Sequence, residues 1–365
     1  MRNETIFEFI RFALDDSQTK FSHLDDLDWE ALYQFSRKHF ITGVLYSGME
    51  KLSKEKRPPM TIKGNWYSRK DVIREINKTM NKNAITIYNQ FKKDGLRGCI
   101  LKGQGVAMLY PDPYTRNPGD IDIWVDGSRE KIVEYVNSIC PGQQQRYIHI
   151  DFPLLKGVDT EVHYTPSYMY APWANRKLQK WFEEQAKEQF THMAVLPGCS
   201  DEICIPTLSF NRIFMLSHMY KHLFSEGIGL RQLMDYYFLL KCGFTEAERE
   251  KDVATIKHLG MYKFATAVMY VLQKVLGLQD NLCIVKPNEK AGEFLLSEIL
   301  IAGNFGENDT RYGSRTKNES VAHRYFRLTR RNLHFISSYP SEAICEPLFR
   351  TWFFFWKKFN RFYRI

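Results

Sequence analysis

Apolar residues three and four apart dominate both ends of this chain, whereas its centre shifts to short apolar runs bounded by glycine and proline. "WEALYQFSRKHFITGVLYSGMEKL" places Leu32, Phe35, His39, Phe40, Val44 and Leu45 at helical spacing. "KDVIREINKTMNKNAITIYNQFKKDG" continues in that manner until Gly95, a helix stop. The pattern then changes. "LRGCILKG" reads as a strand closed by Gly103, "GVAMLY" as a brief helix, and "PDPYTRNPG" as a turn-rich loop. After it comes "GDIDIW", an apolar strand bearing Asp120 and Asp122. "SREKIVEYVNSIC" is an amphipathic helix with Ser128 as its cap. "RYIHIDFPL" and "VDTEVHYTP" are two strands of a hairpin split at Lys156-Gly157. A charged helix over 175–190 leads to a strand at "EICIP". Beyond Pro206 the helical period returns, in "LSFNRIFMLSHMYKHLFSEGIG", "LRQLMDYYFLLKCG" and several further helices.

These elements predict an α+β protein: a small mixed β-sheet core over 96–206, with an N-terminal helical region (1–95) and a C-terminal helical domain (207–365). With 44% apolar and 15% aromatic residues the chain can bury a substantial core. Charges run through the only apolar stretch of the first twenty residues, unlike a secretory leader, and no apolar run approaches a membrane span. Seven cysteines without a CxxC pair read as reduced thiols of a cytoplasmic protein, not as a zinc site.

Charge alters this picture at one end only. Of the net +9, residues 311–365 carry 12 Lys+Arg against 3 Asp+Glu, leaving 39 of each sign elsewhere. That region could meet a polyanion or an anionic membrane, or form the basic outer face of terminal helices. Its last segment, "RTWFFFWKKFNRFYRI", interleaves rings with cations and could stack on bases or lie on a membrane. Trp352, Phe355, Phe359 and Phe362 recur at helical spacing, which favours a helix docked on the core.

The aspartates of "GDIDIW" raise a physical question. A carboxylate in an apolar strand is costly unless paired or bound to a metal. Asp120 and Asp122 share a strand face, and Glu161 of "TEVHY" lies on the second hairpin strand. If those strands are neighbours, three carboxylates converge, and they cannot all stay ionised without a cation. Hard oxygen ligands suit Mg²⁺ or Mn²⁺. Two such ions can hold the attacking and leaving oxygens of a phosphoryl displacement. The plainer reading of a lone DxD is a solvated strand edge. Here a strand, glycine turn and helix precede it, and a third acid follows.

This arrangement resembles the nucleotidyltransferase superfamily, the fold of DNA polymerase β and kanamycin nucleotidyltransferase. More narrowly, "ILKGQGVAMLYPDPYTRNPGDIDIWV", "HID", "EVH" and "HLFSEGIGLRQLMD" are similar to a bacterial family of uncharacterised nucleotidyltransferases. The resemblance implies transfer of NMP from an NTP, most simply ATP, to a hydroxyl acceptor with pyrophosphate leaving. Asp120, Asp122 and Glu161 would be the metal-binding and catalytic acids. The usual Gly-Gly or Gly-Ser turn is replaced by Lys102-Gly103-Gln104-Gly105, with sixteen residues between Gly103 and Asp120. Backbone amides at 103–105 could cradle phosphates, with Lys102 and Arg116 adding charge. Arg116 could equally pair with an acid.

His149, Asp151 and His163 would line the cleft and orient the acceptor or move a proton, if they are not structural. His218 and His222 form an HxxxH pair without the Glu of a zincin or an evident third ligand. Arg231 and Asp235 stand at i, i+4, where a helix salt bridge is the simple expectation. By resemblance they would hold the nucleotide or brace the site. The acceptor is open to a small molecule, saccharide, protein or RNA. Two other functions stay in view: a non-catalytic nucleotide-binding scaffold, and an enzyme adding nucleotides to RNA through the basic C-terminal region.

Overall fold

The computed structural model describes residues 3–15, 17, 21–313 and 319–359, so Phe362 lies outside it. Four helices come first: α1 (Asn3–Leu14), α2 (Trp29–Lys38), α3 (Thr42–Lys51) and α4 (Met60–Lys93). Asp28 starts α2 by accepting the Ala31 amide at 2.9 Å. At 34 residues α4 spans about 50 Å, and Gly95, at φ +76°, turns the chain at its end. Its buried residues Met80, Ala84, Ile87 and Phe91 join the core against the sheet.

That sheet is formed by β1 (Gly98–Leu101), β2 (Ile121–Val125), β3 (His149–Asp151) and β4 (Thr160–His163) in the order β1-β2-β4-β3. β1 and β2 are antiparallel, β2 and β4 parallel, and β3 and β4 antiparallel, so the sheet is mixed as the sequence predicts. Helix α5 (Gly103–Ala107) follows β1, and α6 (Arg129–Ile139), opened by the Ser128 cap, follows β2. One sheet face is mostly apolar, with Ile100, Ile121, Ile123, Val162 and Ile150, and Thr160 as its polar member. The opposite face changes character along its length. Trp124 stacks on Phe210 at 6.0 Å and meets Phe190 at 4.6 Å, whereas Asp122, Glu161, His163 and His149 make its other end polar.

Past the sheet lies α7 (Pro172–Gln189) and a separate two-stranded ribbon, β5 (Met193–Val195) with β6 (Glu202–Cys204). Only β6 is evident in the sequence; β5 is three residues, with too few positions to show alternation. Helices α8 (Leu208–Ser225), α9 (Leu230–Lys241), α10 (Glu246–His258), α11 (Tyr262–Leu276), α12 (Glu289–Ala302), α13 (Val321–Phe335) and α14 (Pro340–Phe359) complete the chain. The first and last regions meet, because α1 packs on both α3 and α11. One contiguous core therefore runs from Ile6 to Ala343.

The C-terminal segment corrects an expectation. α14 does pack through Phe349 and Phe353, which meet Tyr147 at 4.8 and 6.1 Å. Of the residues expected to be docked, Trp352 meets Tyr147 at 6.1 Å with half its surface exposed, whereas Phe355 and Phe359 are 49% and 72% exposed. Helical spacing identifies residues sharing a face but not which of two apolar faces meets the core.

Candidate functional site

Register brings the acids together. Asp122 stands opposite Glu161 across the parallel β2–β4 pair, and Asp120 immediately precedes β2. One carboxylate oxygen from each of Asp120, Asp122 and Glu161 lies within 4.8 Å of the other two. Asp122 is buried, Glu161 half-buried and Asp120 open to the cleft. Two cations offset this charge. Lys102 Nζ is 3.0 Å from Asp122 Oδ2, and His163 Nε2 donates to Asp122 Oδ1 at 2.8 Å and lies 3.3 Å from Glu161 Oε2. His163 Nδ1 faces the Thr165 carbonyl at 3.4 Å, so both ring nitrogens face acceptors.

The proton affinities follow from this packing. Burial opposes the Asp122 charge, yet Lys102 and His163 hold its pKa far below the usual carboxylate range. Burial likewise works against the Lys102 and His163 charges, and the acids outweigh it, raising both pKa values. Asp120 is pushed up, chiefly by the neighbouring Asp122 charge and then by burial. Glu161 is lowered: burial opposes its charge and the His163 hydrogen bond prevails. His149, with Nδ1 3.2 Å from Glu161 Oε2, is depressed to about 3 by burial and by His163, hence neutral.

Lys102 sits at the turn between β1 and α5 with φ +46° and ψ −140°, a conformation that L-residues rarely adopt. Such a backbone costs on the order of 1–3 kcal/mol and persists where surrounding contacts over-determine it. Here the turn aims the ammonium at Asp122. Gly103, the next residue, lines the same cavity. Gln104 and Gly105, expected to touch phosphates, do not line it. α5 rotates them inward: Gln104 is buried with its amide on Asn81, and the Gly105 Cα faces Ile205.

Arg116, for which a phosphate contact and a pair with an acid were both open, makes the pair while still lining this cavity. Its guanidinium is buried and makes a bidentate pair with Asp235 of α9 at 2.8 and 2.9 Å, and Tyr110 donates to the same carboxylate at 2.6 Å. This network ties the loop before β2 to α9 and leaves Arg116 bracing the site. The i, i+4 bridge between Arg231 and Asp235 does not form, because Asp235 is taken. Arg231 instead sends Nη1 toward the carbonyls of Asn117 and Pro118, 3.5 and 3.4 Å away, and lies against Phe40 and Phe305. A side chain at Gly119 would press on that guanidinium at 3.2 Å.

The acids form the waist between two cavities. One, of about 390 Å³, runs from Lys102 to α8; the other, of about 760 Å³, lies toward Asp151, Asp159 and Glu307. Asp120, Glu161 and Arg231 line both. His149, His163 and Asp235 face the first and Asp151 the second. The sequence reading missed Lys221. This α8 residue lines the first cavity, makes no hydrogen bond or ion pair among the described residues, and lies 5.4 Å from the Tyr168 ring centroid. Burial, reinforced by Lys102, lowers its pKa to about 8. A signal was present, since His218, Lys221, His222 and Ser225 recur at helical spacing as a polar stripe on α8. His218 and His222 meet edge to face with ring centroids 4.4 Å apart, and no third ligand joins them among the described residues.

Fold and site together define an α+β protein with a carboxylate triad on a mixed sheet, a donor set of hard oxygens suited to divalent ions of the Mg²⁺ type. The chain belongs to the family described as uncharacterised nucleotidyltransferase, whose model matches residues 25–277. No curated protein matches it. Among solved structures it is similar to an antigenic nucleotidyltransferase-like protein from Paracoccidioides brasiliensis, at 13% identity and a TM-score of 0.36. That match covers 58% of this chain and 96% of the other, and is too distant to bear on function. No described helix is long and apolar enough to cross a membrane.

Proposed function

We propose that the protein is a metal-dependent nucleotidyltransferase moving NMP from an NTP, most simply ATP, to a hydroxyl acceptor, with pyrophosphate as the second product. The observation carrying this reading is the convergence of Asp120, Asp122 and Glu161 at the junction of two cavities. The donor set fits Mg²⁺ or Mn²⁺: three carboxylate oxygens within 4.8 Å and an excess of negative charge that protein cations only partly offset. Asp120, Asp122 and Glu161 would hold the metal, which when bound neutralises charge building on the phosphoryl oxygens and lowers the pKa of the acceptor hydroxyl.

The chain's own residues supply the rest. Lys102 and Lys221 both line the first cavity, supplying the positive charge a polyphosphate needs. Lys221, without an ion-pair partner among the described residues, can take a phosphate oxygen. Lys102 lies beside Asp122 and can shift from it to a leaving pyrophosphate. The Gly103 backbone approaches closely because no Cβ intervenes. The acceptor must reach the same carboxylates from another side, which the second cavity allows. Glu161 borders that cavity and can receive the acceptor's proton. His149, neutral, lies 3.2 Å from Glu161, and His163, 3.3 Å away, orients that carboxylate.

The test is pyrophosphate release from ATP, CTP, GTP or UTP with Mg²⁺, in the presence of a cell-metabolite pool. Release that needs the metal and disappears in Asp120→Asn and Glu161→Gln supports the reading. Nucleotide binding without release in any pool points to a non-catalytic scaffold instead.

A further inference from the structure

α14 turns one face to the protein and leaves the other in solvent. Ile344, Leu348, Trp352, Phe355 and Phe359 are 50%, 65%, 49%, 49% and 72% exposed. Their spacings of four, four, three and four put them on one stripe, about 22 Å long. Scattered surface apolar residues need no explanation, but five large ones in line on one helix do.

The surrounding charge is of one sign. Residues 311–365 hold twelve Lys+Arg and three acids, and all three acids are withdrawn from the surface. Glu319 accepts from Arg327 at 2.7 and 2.9 Å and lies 2.8 Å from His323. Glu342 is buried beneath the Tyr170 and Ala171 amides. Glu346 is buried against Arg350 and Asn332. Among the described residues of α13 and α14, the exposed Lys, Arg, Asp and Glu side chains are Arg324, Arg330 and Lys358, all cationic. Arg361 and Arg364 follow in the sequence.

We propose that α14 docks on the surface of an anionic lipid bilayer, its apolar stripe seated at headgroup level and the flanking Lys and Arg on lipid phosphates and carboxylates. An anionic layer over an apolar one matches both features of this face, and Trp and Phe suit that boundary. A second copy of the chain would bring the same cationic surface against itself. A nucleic acid would meet the cations and rings but leave Ile344 and Leu348 without a partner. The helix would lie along the membrane, as amphipathic helices of this charge do.

The experiment is flotation of the full chain with vesicles of phosphatidylcholine alone and of phosphatidylcholine with phosphatidylserine. Wild type should bind the anionic vesicles, bind the neutral ones far less, and dissociate as salt is raised. Leu348→Ser with Phe355→Ser and Phe359→Ser should reduce binding by roughly tenfold or more while leaving thermal unfolding unchanged, because the side chains removed are about half exposed or more and their rings meet only rings of α14 itself. No binding to anionic vesicles, or equal binding by the variant, would overturn the proposal. So would a concentration-dependent dimer, or an RNA complex, that the triple variant loses while vesicle binding is absent.

Discussion

Asp120→Asn and Asp122→Asn should both abolish nucleotide transfer while moving stability in opposite directions. The buried Asp122 carboxylate takes Lys102 at 3.0 Å and His163 at 2.8 Å. An amide there has one acceptor oxygen and turns its NH2 toward one buried cation. Leaving a buried ion pair half-made costs about 3–5 kcal/mol. Asp120 and Glu161 still support Lys102, so the lower end, about 3 kcal/mol, applies. Asp120 is crowded by the Asp122 charge instead of supported. With their oxygens inside 4.8 Å, that repulsion is about 1 kcal/mol at the dielectric constant of water and about 3.5 kcal/mol at an effective value of 20. Exposure and screening place Asp120 near the first figure, so Asp120→Asn should stabilise the metal-free protein by up to about 1 kcal/mol. The assay is thermal unfolding in a chelator, paired with pyrophosphate release in Mg²⁺. Equal destabilisation by both variants, or an unaffected Asp122→Asn, would refute the assignment of Lys102 and His163 as the charges that hold Asp122.

Lys221→Met should raise KM for the nucleotide about tenfold, the worth of one charge-assisted contact, without lowering the melting temperature. An unchanged KM would remove Lys221 from the polyphosphate site. Glu342, pushed up to about 7 by burial, is protonated in both folded and unfolded states below about pH 4.5 and ionised in both above about 7. Between those values the folded state binds its proton more tightly, so its contribution to stability falls by about 3 kcal/mol as pH rises from 4.5 to 7. Glu342→Gln should flatten that slope, as read from denaturant midpoints across the range; an unaltered slope would place the titration elsewhere. Arg116→Ala leaves Asp235 buried and unbalanced and should cost about 3–5 kcal/mol, and Arg116→Lys should recover only part because it cannot reproduce the two-point contact. A mild effect on stability with a large one on nucleotide affinity would return Arg116 to a phosphate-binding role.

The acids were legible in the sequence because period two puts Asp120 and Asp122 on one face, and parallel pairing of β2 with β4 supplies Glu161 opposite Asp122. Their partners were not. From the sequence, Asp122→Asn reads as relief of anionic crowding; the buried Lys102 and His163 reverse that sign, and the Lys102 position depends on an unusual backbone turn no local pattern announces. The Arg116–Asp235 pair joins residues 119 positions apart, whereas the i, i+4 rule suggested Arg231 for Asp235. Gln104 and Gly105 were assigned to phosphates from the strand–turn–helix pattern, but the direction in which a five-residue helix turns its side chains is set by α4 and β6 packing around it. The ends of α14 show the same limit: spacing reveals a stripe, and only tertiary packing decides which stripe is covered.

The central claim is nucleotidyl transfer at the Asp120–Asp122–Glu161 triad, and isotope position tests it most directly. Parallel reactions with Mg²⁺, a cell-metabolite pool and ATP labelled at either the α or the γ phosphorus should move the α label to an acceptor and release the γ label as pyrophosphate, with both events absent in Glu161→Gln. Transfer of the γ label to the acceptor, or α-label transfer that persists in Glu161→Gln, would contradict the account.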